Sequence, residues 1–381
     1  MAEFDERSAG GRPAWLVGFV VVVAAAAFSG FRLPSLWSVT LYNVQVWDGT
    51  VRRSLVGTLL EPVWRAGGHA YWVYAAVAFL VLAALIAAAI AAAMRAKWTS
   101  QRIVVALWFL APTGAYLFHE VGYLDQVSYL LLFMSLWLWS RAPAPVAVLP
   151  VALSPFVHEL ALVTTVPILA WFVLRGPASR AQRLALLIPL GAGLAVLLAP
   201  SLGDGQVLGL TARLGRTLGF PVREDAVALL AQSALGSWRW HTIYVGAVKG
   251  LPFAVVLALS WLLDWRLAGG GRAAGLRAAT ASLVATAAPL LALFGGWDAD
   301  RWVFLCLGNF AVVLFLSLER EESALSAPAL AAVVLPFALL FYSPLEYFDG
   351  YAFRTISSSG VHRLKTAPDF FRLPADRPPA R

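Results

Sequence analysis

The sequence predicts an all-α polytopic membrane protein of about eleven transmembrane helices, within a range of about nine to twelve. Three observations carry that reading. Of 381 residues, 60% are hydrophobic and only 13% charged, whereas soluble domains carry roughly 25% charged residues. Apolar runs of about 20 residues, the length that crosses a hydrocarbon core, recur along nearly the whole chain. Lys and Arg, 29 against 21 acids, gather between the apolar runs. No basic run with interleaved aromatics occurs, so nucleic acid is excluded as a partner and the lipid bilayer is the expected one. The single cysteine, Cys306, lies in an apolar run. It rules out an intramolecular disulfide framework and a zinc site built on several cysteines.

The segments follow in order. MAEFDERSAGGRPAW leads into an apolar stretch from Trp15 to Phe31. Its acids outnumber its arginines and the run is long for a signal core, so it reads as an uncleaved first span; the alternative is cleavage near AAAAFSG. The spans are expected at approximately 14–30, 71–94, 103–118, 124–140, 144–155, 156–174, 184–200, 250–265, 279–295, 302–318 and 328–344. Residues 144–174 are too many for one span and too few for two. Ser154-Pro155 has the signature of a helix start, so this stretch reads as a short helical hairpin or a broken span.

Two long connections, 31–70 and 201–249, carry amphipathic segments. DGTVRRSLVGTLLEPVW places apolar residues at helical spacing with arginines opposite, as in a helix lying on a membrane surface. VLGLTARLGRTLGF and REDAVALLAQSALGSW read the same way, separated by Pro221. Residues 1–345 form one helical domain, and 346–381, ending LPADRPPAR, a mobile tail. Arg95, Lys97 and Arg102, then Arg141, then Arg175, Arg180 and Arg183, then Arg266, Arg272 and Arg277, then Arg320 fall in alternate connections. The intervening short turns hold only Arg301. The positive-inside rule therefore puts the N-terminus in the cytoplasm and the C-terminus outside it.

On that topology the titratable groups collect on the extracytoplasmic side. His119, Glu120 and Asp125 occupy one turn (FHEVGYLD), His158 and Glu159 another (PFVHE). Trp238, Arg239 and His241 end the second long connection, and Trp297, Asp298, Asp300 and Arg301 form GWDADRW. Asp48, Glu61, His69 and Asp204 lie on the same side, as do all five histidines. Each piece has a bland account. A His-Glu pair can sit at the water interface, Asp125 can cap a helix beginning at Gln126, and Glu159 can complement a helix dipole in the turn after Ser154-Pro155. Jointly they describe a site, because ionisable groups at membrane depth are costly unless they are paired or wet. Arginine reads phosphate oxygens bidentately, tryptophan offers flat faces to sugar rings, and a histidine with carboxylates removes a proton from a hydroxyl.

With Asp48 in VWDGT of the first outer connection, FHEVGYLD, PFVHE followed by VTTVP, and GWDADRW, the chain resembles bacterial envelope glycosyltransferases of the GT-C type and EpsG-like or O-antigen-polymerase-like proteins. The resemblance implies a multi-pass protein of the bacterial inner membrane that uses polyprenyl-phosphate-linked sugars at the extracytoplasmic face. Its partners would be a lipid-linked sugar donor, a glycan acceptor and other envelope-biosynthesis proteins. It requires no cofactor and leaves a divalent metal allowed. A first-loop acid is the typical GT-C base, and that role carries over to Asp48. Glu159 or Asp125, assisted by His119 or His158, are the other candidate bases, with Arg301 and Arg239 holding the lipid phosphate. A second class is a zinc-dependent membrane hydrolase using His119, His158 and His241. A third is a transporter or flippase, which predicts charges deep within the spans.

Overall fold

A chain this apolar must satisfy its backbone N–H and C=O groups internally, and helices do so within each segment. The computed structural model describes residues 12–232, 240–267, 272–294, 298–321, 327–340, 346–347 and 351–352. α1 (Arg12–Gly30) precedes α2 (Leu36–Leu41) and α3 (Leu55–Ala66) of the first long connection, which flank a 3-10 turn at Val46–Asp48. Then come α4 (Tyr71–Arg95), α5 (Thr99–Leu110), α6 (Pro112–His119), α7 (Leu124–Leu138), α8 (Ala144–Val157), α9 (Thr165–Arg175), α10 (Arg180–Ala185) and α11 (Leu187–Leu198). The second long connection contains α12 (Asp204–Thr217) and α13 (Glu224–Ala228). α14 (Trp240–Leu267), α15 (Arg272–Ala287), α16 (Ala299–Glu321) and α17 (Ala327–Leu340) complete the helices. β1 (Glu346–Tyr347) and β2 (Tyr351–Ala352) pair antiparallel.

Among the described residues five helical segments are long and apolar enough to cross a membrane, or six when α5 and α6 count as one span bent by 58°. The outer surface is apolar where lipid would lie: Leu16, Val17, Val20 and Val21 of α1 are all exposed. α16 is the central helix, with 83% of its apolar window buried against 22% for α1 and α4. Its Asn309 donates to the carbonyls of Thr164 (3.1 Å) and Ala285 (2.9 Å) and accepts from Tyr129 Oη at 2.5 Å. These bonds tie α16 to α7, α15 and the start of α9. Gly30 lets α1 meet α6, since a Cβ there would lie 1.8 Å from the Ala115 carbonyl oxygen.

Four expectations are corrected. The segment 103–118 is two helices, because Pro112 cannot donate into a continuous helix and opens α6 at its first position. Ser154-Pro155 does not start a helix. Pro155 cannot donate to the Val151 carbonyl, but Ser154 Oγ donates to it at 2.7 Å, so α8 runs on to Val157. The break falls at His158, and a 3-10 turn (Glu159–Leu162) leads to α9; Glu159 therefore opens that turn. α14 begins at Trp240, so the second long connection ends earlier than 249 and His241 lies on a helix.

The fourth correction concerns the arginines of the first amphipathic segment and the packing of the second connection. Arg52 and Arg53 precede α3 and are buried, not turned to solvent. α12 and α13 fold against the first long connection: Leu210, Leu214, Ala226 and Val227 join the cluster of Tyr42, Trp64 and Tyr74. Gly219 N–H donates to the His69 carbonyl (3.1 Å), and Arg223 N–H to Thr40 Oγ1 (3.2 Å).

Candidate functional site

Four segments far apart in the chain meet at one end of the bundle. α16 brings Arg301 in its first turn, and α7 brings Asp125 in its own. The α8–α9 break brings His158 and Glu159, and the approach to α3 brings Arg52 and Arg53. Arg301 donates through Nε (2.7 Å) and Nη2 (2.5 Å) to the same oxygen of Asp125, Oδ2. Nη2 also lies 3.1 Å from His158 Nε2, and the guanidinium sits 4.8 Å from the Tyr123 ring centre and 5.4 Å from that of Trp302. Asp125 is thus a buried counter-ion and makes no capping hydrogen bond at the start of α7.

Glu159 is held more firmly still. Arg53 engages both its oxygens through Nε (3.1 and 3.0 Å) and one through Nη2 (2.6 Å), while Arg52 Nη2 adds a contact at 3.3 Å. Arg52 Nη1 also donates to the Gln232 carbonyl at 2.6 Å, linking this cluster to the second long connection. Arg53 has φ 57°, a left-handed conformation uncommon outside glycine, and the charge network offsets its strain.

His158 bridges the two arginine clusters. Its Nδ1 is 3.5 Å from Glu159 Oε2. Arg301 Nη2 can only donate, so in the neutral ring Nε2 accepts and the proton rests on Nδ1, beside Glu159. The Leu160 N–H also points at Nδ1 (3.2 Å), so this tautomer gives up that backbone bond, whereas the other would keep it but set two donors against each other at Nε2. Repulsion from the charged donor decides for the first. A small, partly open pocket is lined by Trp37, Ser38, Leu41, Arg53, Tyr123, Leu124, His158 and Arg301. Two guanidinium groups and an imidazole nitrogen among aromatic walls suit an anion attached to an apolar or sugar-bearing group.

The remaining candidates divide. Asp298 stands at the edge, with Oδ2 4.0 Å from Arg301 Nη1 and Oδ1 accepting from Arg301 N–H at 3.4 Å. Burial pushes its carboxyl up to about 6, against the opposing pull of Arg301. Asp300 pairs with Lys249 at 2.8 Å. His119 and Glu120 are drawn to Arg32, whose Nε donates to the His119 carbonyl and whose Nη2 lies 3.8 Å from Glu120. The turn after them needs Gly122, at φ 88°. Asp48 belongs to another cluster: it accepts from Arg213 Nη2 at 2.7 Å and from Gln45 N–H at 2.8 Å, closing the 3-10 turn. Burial raises its pKa, with Arg213 pulling the other way. Trp238, Arg239 and Trp297 lie outside the described residues, as does the side chain of His241.

Sequence reasoning missed Arg52, Arg53, Tyr123 and Trp37. The Arg52-Arg53 doublet was visible, but helical spacing assigned it to a solvated face. Among the described residues no three His, Cys, Asp or Glu side chains come together as a metal-holding group. No family model matches the chain, and no curated protein or solved structure matches it either.

Proposed function

We propose that this protein is a membrane glycosyltransferase or polysaccharide polymerase that takes a polyprenyl-phosphate-linked sugar at the extracytoplasmic face for cell-envelope glycan assembly. The proposal includes the finer topology: about eleven crossings, N-terminus in the cytoplasm and C-terminus outside a bacterial inner membrane. The observation that carries it is the convergence of Arg53, His158 and Arg301 on one aromatic-walled pocket at a bundle end. Arg301 and Arg53 would hold the lipid phosphate, and Tyr123 and Trp37 would face the sugar. An acceptor hydroxyl attacks the anomeric carbon, the bond from that carbon to the phosphate oxygen breaks, and the lipid phosphate leaves with the bonding pair. His158 Nε2 takes the hydroxyl proton once Arg301 has turned to the phosphate, while Glu159 steadies the imidazolium through Nδ1. Glu159 and Asp125, each tied to guanidinium groups, serve as counter-ions in this scheme.

The zinc-hydrolase reading gains no support among the described residues, where no three His, Cys, Asp or Glu side chains come together. The transporter reading expects charges along the spans, whereas the described ion pairs, Lys249 in the third turn of α14 apart, sit at helix ends and in connections. The test is complementation of a strain lacking the gene. Wild type restores a missing surface glycan, whereas His158→Ala and Arg301→Ala, present in the membrane at wild-type level, lower its synthesis roughly 10²-fold or more. Normal glycan in the deletion strain, or full restoration by both variants, would overturn the reading.

A further inference from the structure

α3 has two apolar faces, and protein covers only one. On the inner face Val56, Gly57 and Trp64 are buried. Gly57 is needed there, because a Cβ would lie 2.1 Å from the Val44 carbonyl oxygen, and Trp64 stacks between Tyr42 (6.2 Å) and Tyr74 (4.3 Å). The outer face carries Leu59, Pro62, Val63 and Ala66, at the i, i+3, i+4, i+7 spacing of one helical stripe. All four are exposed, Leu59 by 64% of its surface. Beside the stripe, Trp47 is 64% exposed on the 3-10 turn that Val46 N–H ties to Thr58 Oγ1 at 2.9 Å. In the first turn of α4, Trp72 is 56% exposed.

We infer that α3 lies in the plane of the membrane, with the Leu59–Val63 stripe covered by lipid acyl chains and not by protein. Three observations select lipid as the occupant. Only Gly67, Gly68, His69 and Ala70 separate α3 from α4, an apolar helix of 25 residues whose outward Leu80 is 68% exposed. Two exposed tryptophans flank the stripe, and tryptophan concentrates at headgroup depth. At the border Arg65 is 79% exposed and pairs with Glu61 at 3.2 Å, so its charged end can stay in water while its stem covers apolar surface. Because α3 begins directly after Arg53 and Ser54, this seating fixes the pocket's Arg53 at the level of lipid phosphates. The inference needs only the membrane setting and stands apart from the transferase chemistry.

The test places nitroxide labels on Leu59→Cys, Val63→Cys, Arg65→Cys and Leu80→Cys in the full chain, reconstituted in phosphatidylcholine–phosphatidylglycerol vesicles. Cys306 stays in place, because it is wholly buried and the unsubstituted chain supplies its labelling background. Collision with oxygen, which partitions into lipid, is compared with collision with a water-soluble nickel chelate. The oxygen-to-nickel ratio at 59 and 63 is expected to match the lipid-facing position 80 and to exceed that at 65 several-fold. Ratios at 59 and 63 as low as at 65 would put the stripe in water. Protection from both reagents would put a second copy or another protein on it. Either result overturns the inference.

Discussion

Arg301 is held by Asp125, opposed by the Nε2 lone pair of His158 and framed by two aromatic rings, and Glu159 in turn receives two arginines. Charges this buried are tolerable only as matched sets. Glu159→Ala leaves Arg52 and Arg53 without a carboxylate, so it should destabilise the fold by about 3–5 kcal/mol, read as an earlier thermal unfolding transition in detergent. Asp298 works in the opposite sense. Burial raises its pKa from 3.8 to about 6, so the folded state binds its proton more tightly than the unfolded chain. Stability is therefore lost as pH rises from about 4 to about 6 and stays lost above that. Asp298→Asn should unfold at a higher temperature than wild type at pH above about 6, with the gain vanishing below about 4. A pH-independent difference would contradict this. Asp125, His158, Glu159 and Arg301 were legible in the sequence because each stands out against apolar neighbours. Arg53 was not, since its partner Glu159 is 106 positions away and no local pattern joins them.

Helix positions were legible wherever a run was long and apolar, as for α1, α4 and α16, because the bilayer enforces the pattern. Breaks were harder to place. A Ser-Pro pair starts helices in water, but here Ser154 satisfies the carbonyl that Pro155 abandons, and the helix continues past both. Close helix approaches leave only a faint trace: Gly30 is one glycine among 30, yet it alone gives Ala115 room against α1. Gly30→Ala should force α1 and α6 apart and cost about 1–3 kcal/mol, measured by thermal unfolding of the purified protein. An unchanged transition would mean that the two helices are not packed this closely.

At the scale of the molecule, an apolar exterior surrounds a central helix, α16, and the charged pairs gather at helix ends and in the two long connections, with Lys249 in the third turn of α14 reaching Asp300 at the start of α16. The all-helical class followed from composition, but the layering of the second connection over the first did not. It depends on single bonds such as Arg213 to Asp48 and Gly219 to His69, which periodicity cannot foresee. The layering also explains why residues expected to act together separate: Asp48 closes a turn under α12, while His158 and Arg301 line the pocket. The proposed function comes down to whether that pocket holds a lipid-borne phosphate. The direct measurement is binding of polyprenyl phosphate and of the uncharged polyprenol to the purified protein by native mass spectrometry, for wild type, Arg53→Ala and Arg301→Ala. Wild type should retain the phosphate and not the alcohol, and each variant should lose it by roughly tenfold or more, as expected for a charge-assisted contact. Equal retention of phosphate and alcohol, or phosphate binding unchanged in both variants, would contradict the account.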